Sequence, residues 1–423
     1  QDRRAIALAY IDAEVPAEQE LEVEVRGRRL AAQLVRWHGR SEAPPYFRAI
    51  PCDWETKSDA QAPATSQEQV SLLLKKSLDN HEWRQRCCIN LIPSEMTQSA
   101  LVRLLQVTDP CGRYAEHKEL LAAFEQEIFY YQGTEFIAWA EDRLVEEMKK
   151  FLGYPLVETR VISGQMANMT IFSALVDFIN RTDRRSEPRR LPLVMNNHIG
   201  KGGHLSSQPM GALRDYISKD PVTEKYSVLN FPVLPENPYS IDLQETANLL
   251  DRFDPELIIL GKSMILHREP VAEIRKMLET KTSKPVIMYD MAHVLGLIGP
   301  HFQNPYAEGA DIITGSTHKT FYGSQRGVIG AAYEDGIPEF ELWKAIERRV
   351  FPGAVSNHHL GTLLGLLMAA IEMNAFKDSY QPQVIANAKA FAKALEDEGL
   401  EVQGDPKVGY TETHQVVVVV GYA

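Results

Sequence analysis

Apolar and polar residues alternate from Leu21 to Leu30 across a turn at Gly27, and the alternation resumes loosely through Leu34 and Val35. A period of two broken by a glycine turn predicts a solvated β-hairpin. Residues 41–66 then lose any period and carry Pro44, Pro45 and Pro63 among small and charged residues, which is the composition of a linker. Ser66 and Gln69 make a capping-box pattern ahead of Val70, Leu73 and Leu74, so a helix is predicted to begin at Ser66. Further on, short apolar runs at 191–195, 257–260, 286–289 and 312–313 alternate with stretches of helical period, one of which sets Met169, Phe172 and Val176 on one face. That alternation predicts an α/β fold, a mainly parallel sheet wrapped by helices. After Phe351-Pro352-Gly353, helices are expected at 359–376 and 384–395 and a strand at 414–420.

Composition narrows the class without naming it. The 423 residues are 44% hydrophobic and 24% charged, as in ordinary globular proteins with one large domain and room for a smaller one. A formal charge of −12 argues against a nucleic-acid binder by bulk charge and leaves any phosphate site to be argued locally. Cys52, Cys87, Cys88 and Cys111 show neither metal-ligand spacing nor a disulfide framework, which suggests a reducing compartment and no metal. The apolar stretches 360–370 and 416–420 are too short to span a bilayer and the opening residues carry no secretory signal, so a cytoplasmic location without membrane contact is expected.

The chemistry gathers in four places. Lys319 lies in a polar loop after the apolar run at 312–313, and the run at 286–289 leads into Asp290. A Schiff-base amine and an anion to face a pyridine nitrogen, both leaving the carboxyl ends of strands, are what pyridoxal phosphate requires. Asp290 could equally cap the next helix. Ser163-Gly164-Gln165 opens a helical stretch whose free backbone N–H groups and positive dipole suit a phosphate, or serve as a plain N-cap. Gly202-Gly203-His204 lets backbone approach a ligand and offers an imidazole face to stack on a ring.

In order along the chain, Asn90 to Glu95, Arg113-Tyr114-Ala115-Glu116, Phe129 to Gly133, Ser163 to Asn168, Gly202 to Leu205, Asp290 to His293, Thr317 to Thr320 and Phe351-Pro352-Gly353 resemble the serine hydroxymethyltransferase family. The resemblance runs over residues 85–423. It implies a pyridoxal-phosphate-dependent transferase of fold type I, with an aspartate-aminotransferase-like large domain at 67–350 built on a seven-stranded sheet, and the start of a small domain at 351–423. Lys319 would hold the cofactor through its amine, Asp290 would pair with the pyridine nitrogen and His204 would stack on the ring. His293 and Ser263 would lie near the phenolic oxygen, His318 beside the lysine, and Ser163, Gly164 and Gln165 at the phosphate, with Ser356 and Asn357 reaching the cofactor. Ser94 and Tyr114 would contact the amino acid, Tyr131 would lie near the reacting centre, and Glu116 would handle protons at the hydroxymethyl group, in place of the solvated charge that it resembles out of context. The implied unit is a homodimer with shared sites, or a tetramer built from it, acting on serine or glycine with tetrahydrofolate as co-substrate.

Departures qualify the resemblance. Gln165 stands where the family has Ser, Ser356 and Asn357 stand where many members have a glycine-rich loop, and Gly323 to Gly327 shifts or loses an Arg expected beside the cofactor. The family's carboxylate-binding Arg is expected past residue 423. Ile199 and Leu205, with Tyr131, could support a folate ring or simply pack in the core. Alternatives on the same scaffold are a threonine aldolase or transaldolase, an α-methylserine hydroxymethyltransferase, and a non-catalytic homologue serving as an interaction module. Residues 1–40 bear a weaker resemblance to the C-terminal β-barrel end of the glycine cleavage T-protein.

Overall fold

The computed structural model describes residues 21–25, 28–32, 65–120, 126–182 and 187–419. They fall into two compact units, Gln1–Leu91 with Val418–Ala423, and Ile92–Val417. In the first unit, β1 (Leu21–Val25) pairs antiparallel with β2 (Arg28–Ala32), Leu21 opposite Ala32, as the alternation predicts. The T-protein-like residues before it, Leu34 and Val35, and the linker up to residue 64 lie outside the described residues. Helix α1 (Ser66–Glu82) is capped one residue earlier than expected. The Thr65 hydroxyl accepts the Glu68 N–H while the Glu68 carboxylate accepts the Thr65 N–H, a pairing that Gln69 would be out of register to make.

The second unit holds α2 (Ala100–Leu105), the antiparallel pair β3 (His117–Leu120) and β4 (Gln126–Phe129), α3 (Glu135–Leu152) and β5 (Leu156–Glu158). It continues through α4 (Gly164–Thr182), β6 (Val194–Asn196), β7 (Val228–Asn230), α5 (Leu243–Arg252), β8 (Leu257–Leu260), α6 (Val271–Leu278), β9 (Val286–Asp290) and β10 (Ile312–Ser316). The last elements are β11 (Gly327–Ala331), α7 (Phe340–Arg348), α8 (Leu360–Asp397) and β12 (Glu401–Val402). Seven strands form one sheet in the order β5-β11-β10-β9-β8-β6-β7. Only β11 runs antiparallel to its neighbours in this sheet.

Alternate residues of the central strands feed two cores, as a sheet covered on both faces demands. Ile258, Leu260, Ile287 and Tyr289 pack with Leu144 and Met148 of α3 and Leu363 and Leu366 of α8. Leu257, Ile259 and Met288 pack on the other side with Ile171, Phe172 and Leu175 of α4 and Trp343 of α7. The face of α4 read from the sequence holds at Phe172, which is buried, and at Val176, which packs against the core, but not at Met169. Met169 is exposed, and the buried stripe runs through Ala167, Asn168, Ile171, Phe172, Leu175 and Ile179.

Three further expectations change. The two helices after residue 358 are one, α8, which passes through Pro382 without stopping. Tyr380 donates to Thr320 O at 2.9 Å and Gln381 donates to Gly296 O and Ile298 O, so packing offsets the backbone bond that Pro382 cannot make. Although α8 is long and apolar enough to cross a membrane, 56% of its most apolar window is buried within the protein. The run expected as a strand at 414–420 is reduced to β13 (Val418–Val419) in the first unit. Thr413 and Gln415 instead bond Ile265 and Ser263 through their side chains. Similarly, the strand expected from residue 191 starts at Val194, with Leu191 making an isolated parallel bridge to Ile217.

Leu363, fully buried between α8 and the sheet, should cost about 2–5 kcal/mol when replaced by Ala, because transfer and cavity terms add. Phe376, on the same helix but 59% exposed, should cost within about 0.5 kcal/mol as Ala. Urea unfolding of the two variants checks the difference.

Candidate active site

Parallel pairing of β9 with β10 sets Asp290 opposite Thr314, so both loops that follow leave the same edge of the sheet. Lys319 lies three residues past β10 in a turn closed by Tyr322 N–H to Lys319 O at 2.9 Å and Gly323 N–H to Thr317 O at 2.7 Å. The next residue fixes that turn from two sides, since Thr320 Oγ1 bonds His293 O and accepts the Gly296 N–H. Lys319 Nζ lies 3.2 Å from His293 Nε2. Burial draws the lysine below its ordinary pKa, and nearby Asp290 opposes that shift.

Asp290 is buried and richly bonded. Its Oδ2 meets His204 Nδ1 at 2.6 Å, Asn168 Nδ2 at 2.8 Å and Ser207 Oγ at 3.1 Å. Its Oδ1 accepts the Ala292 N–H at 3.1 Å within the turn that follows β9, whereas the short helix beyond, Leu295–Leu297, has Val294 at its N-cap, so Asp290 does not take the helix-capping role open from sequence. Burial pushes the carboxyl up, but His204 and these donors prevail and hold it well below the usual carboxylate range. Asn168 is aimed by Thr314, whose hydroxyl donates to its Oδ1 at 2.6 Å, and it also donates to Ser206. No role for Asn168, Ser206, Ser207 or Thr314 was read from the sequence. The available signal was Asn168 at helical spacing from the apolar Ile171, Phe172 and Leu175.

His293 is pushed down to about 3 by burial, with Lys319 and His204 adding to it. It is therefore neutral, and accepting from Lys319 at Nε2 puts its proton on Nδ1. That Nδ1 and the Nδ1 of His318 are buried with no hydrogen-bond partner among the described residues. Burial also lowers His318. His414, pushed down to about 4 chiefly by burial, bonds Pro93 O at 3.0 Å and senses the charge of Lys319, which brings the loop carrying Ser94 toward the lysine.

The anion turn sits at the start of α4. Ser163 Oγ accepts the Met166 N–H, so its side chain is an N-cap, while the Gly164 and Gln165 amides begin the helix where no intrahelical acceptor exists. A Cβ on Gly164 would lie 2.3 Å from Ser316 Oγ, so glycine is needed for the turn to nest against β10. Ser263 follows β8 and donates its N–H to Gly202 O at 2.8 Å. Arg326 spends its guanidinium on the protein itself. It is wholly buried and bonds Thr159 O, His358 and Thr362, tying the approach to the anion turn to the start of α8.

Glu116, Tyr130, Tyr131 and Ser356 line a separate cavity of about 440 Å³ with Phe351 and Pro352. Tyr114 stacks obliquely on Tyr131, ring centroids 5.5 Å apart. Asn357 joins this group, bonding Arg113 O and the Ala115 N–H. The residues read from sequence therefore form two groups on one chain, with Lys319, Asp290, His204, His293 and the anion turn in the other. Ile199 and Leu205 are exposed, so core packing does not account for them.

These residues fit pyridoxal phosphate. An ionised buried carboxylate, an amine, unpartnered imidazole nitrogens and an anion turn meet at the carboxyl edge of a mostly parallel sheet. Fold and site define a pyridoxal-phosphate-dependent enzyme of fold type I. The model of the serine hydroxymethyltransferase family matches residues 67–421, and the chain belongs to that family. It is 38% identical over 342 residues to serine hydroxymethyltransferase from Archaeoglobus fulgidus, covering 81% of this chain and 69% of the relative. It is 36% identical over 351 residues to that from Pyrobaculum aerophilum, covering 83% and 73%. Among solved structures, L-threonine transaldolase from Pseudomonas fluorescens in its internal aldimine state superposes with a TM-score of 0.68 at 26% identity, over 84% of this chain and 74% of that one.

Three histidines, His293 and His358 near 3 and His414 near 4, resist protonation in the fold. The unfolded chain takes up those protons from about pH 6.5 downward, so stability should fall as pH drops from about 6.5 toward 4. His293→Gln should make that slope shallower by up to about one proton, read from apoprotein melting temperature against pH.

Proposed function

We propose that the protein is a serine/glycine hydroxymethyltransferase, moving a one-carbon unit reversibly between serine and tetrahydrofolate with cleavage of the Cα–Cβ bond. The observation that carries this reading is the Lys319 amine 3.2 Å from a neutral His293, beside an Asp290 held ionised. Pyridoxal phosphate, when bound, supplies the electron sink that such a cleavage needs. Asp290 would keep the proton on the pyridine nitrogen, His204 would stack on the ring, and Lys319 would hold the cofactor through Nζ. The Ser163-Gly164-Gln165 turn offers N–H groups to the phosphate. His293 would donate from its unpartnered Nδ1 to the phenolic oxygen with Ser263 nearby, and His318 would flank the lysine.

Ser94 and Tyr114 bind the amino acid, Tyr131 lies by the reacting centre, and Glu116 carries the proton of the hydroxymethyl oxygen. Tyr114, Glu116 and Tyr131, with Ser356 and Asn357, serve the site of a second copy, a reading supported by the cavity that Glu116, Tyr131 and Ser356 line with Phe351 and Pro352. The working unit in this reading is a homodimer in the cytoplasm, with the large domain at 67–350, the small domain at 351–423 and the T-protein-like segment at 1–40 ahead of them. The exposed Ile199 and Leu205 line the folate side. A second reading, a threonine aldolase or transaldolase, draws on the similarity to the solved transaldolase.

Serine cleavage assayed with and without tetrahydrofolate, against threonine and α-methylserine, separates the readings. Folate-stimulated serine turnover is expected, whereas folate-independent turnover with threonine preferred would select the second. Lys319→Ala should lose the borohydride-reducible yellow band and more than about a thousandfold of activity. Mixing inactive Lys319→Ala with inactive Glu116→Gln chains should restore about one quarter of the wild-type rate, since half of the dimers gain one intact site. Absence of any recovery would mean that each chain builds its site alone.

A further inference from the structure

Lys262 and Glu269 form an ion pair in the interior, Nζ to Oε1 2.6 Å, with 2% and 1% of their side chains exposed. Neither belongs to the machinery assigned above. Two charges removed from water are tolerated only when geometry is close and their remaining hydrogen-bonding capacity is filled. The geometry is close and each group has a second partner: Lys262 Nζ also donates to Tyr239 O at 2.7 Å, and Glu269 Oε2 accepts from Asn197 Nδ2 at 3.2 Å.

The bonds lead from this pair to His204 on one side. Asn197 Oδ1 accepts the Gly261 N–H at 2.8 Å, and Gly261 O accepts the His204 N–H at 3.1 Å. The loop is folded so tightly here that a Cβ on Gly203 would lie 2.2 Å from Asn197 O. On the other side the bonds lead to Asp290. Gln303 grips the Glu269 backbone, accepting its N–H at 3.2 Å and donating to its carbonyl at 2.6 Å, and the same Gln303 Oε1 accepts the Tyr289 hydroxyl at 3.1 Å. Tyr289 precedes Asp290 on β9. The ring closes where His204 Nδ1 meets Asp290 Oδ2 at 2.6 Å.

We propose that the Lys262–Glu269 pair is a positioning device that sets the His204 ring relative to the Asp290 carboxylate, and so fixes the slot for the pyridine ring of the cofactor. An apolar pair of equal volume would fill the space without referencing both the 197–204 loop and β9 to one carboxylate. The inference rests on the pyridoxal-phosphate reading of this site, and the two are tested separately: uptake of cofactor by the wild-type chain tests the reading, and the variants test the inference.

The experiment titrates apoprotein with pyridoxal phosphate and records visible circular dichroism of the bound cofactor, together with melting temperature. The double variant Lys262→Met/Glu269→Leu should melt at or above the wild type yet bind the cofactor about 10- to 100-fold more weakly, with a reduced visible dichroism. Asn197→Ser, which keeps the ion pair and cuts its link to Gly261, should show the same two losses. Wild-type affinity and dichroism in the double variant would overturn the proposal. If the double variant does not fold, Asn197→Ser decides alone, and wild-type values for it would overturn the proposal equally.

Discussion

A carboxylate held ionised in a dry interior is the constraint around which this molecule is arranged. Asp290 terminates a central strand, and burial by itself would neutralise it. The opposing interactions come from separate elements: Asn168 from α4, His204 and Ser207 from the loop after β6, and the Ala292 amide from its own turn. These donors meet at one point only if β9 is central, α4 crosses beneath it and the loop after β6 folds back over it. The order of strands in the sheet, and the one antiparallel strand that brings β11 beside the Lys319 turn, follow from the same need.

Much of this was legible in the residues, and the reason is local. The 257–260 run is buried on both faces, so it reads as continuous hydrophobicity with no competing helical period, and β8 appears where expected. Lys319 and Asp290 stand next to such runs, so their positions at strand ends could be read directly. Asn168 could not be placed because Met169 is apolar yet exposed, and an apolar residue at the surface gives no local sign that it faces solvent. Pro382 misled because a helix packed along its length can lose one backbone bond, and the side chains that compensate lie far away in sequence. Lys262 and Glu269 were invisible for the opposite reason: charged residues read as surface until their partners are known.

The two groups of site residues carry a related lesson. The family resemblance implies that Glu116 and Tyr131 act in a site shared between two copies of the chain. Within the chain they line their own cavity, with Asn357 holding the 113–115 segment against it. Sequence order cannot tell a residue that completes its own site from one that completes a neighbour's, since both appear in one chain.

The charge state of His293 follows from the same arrangement as that of Asp290 but with opposite sign. Both are buried, which disfavours charge in each. Asp290 is surrounded by donors and stays ionised, whereas His293 faces the Lys319 amine and the His204 ring and stays neutral. One pocket thus keeps an anion at one end and a neutral proton donor at the other, with a lysine of lowered pKa between them. A site needs such separation if its acid and base roles are to coexist at neutral pH. It is obtained here from the placement of one carboxylate among donors and one imidazole beside the Lys319 amine. His204 does double service, lowering the proton affinity of Asp290 through its hydrogen bond and that of His293 through its ring, set edge-on with centroids 5.3 Å apart. Moving its ring would therefore disturb both ends of the pocket at once, which is why the anchoring of its loop matters as much as the identity of the ring.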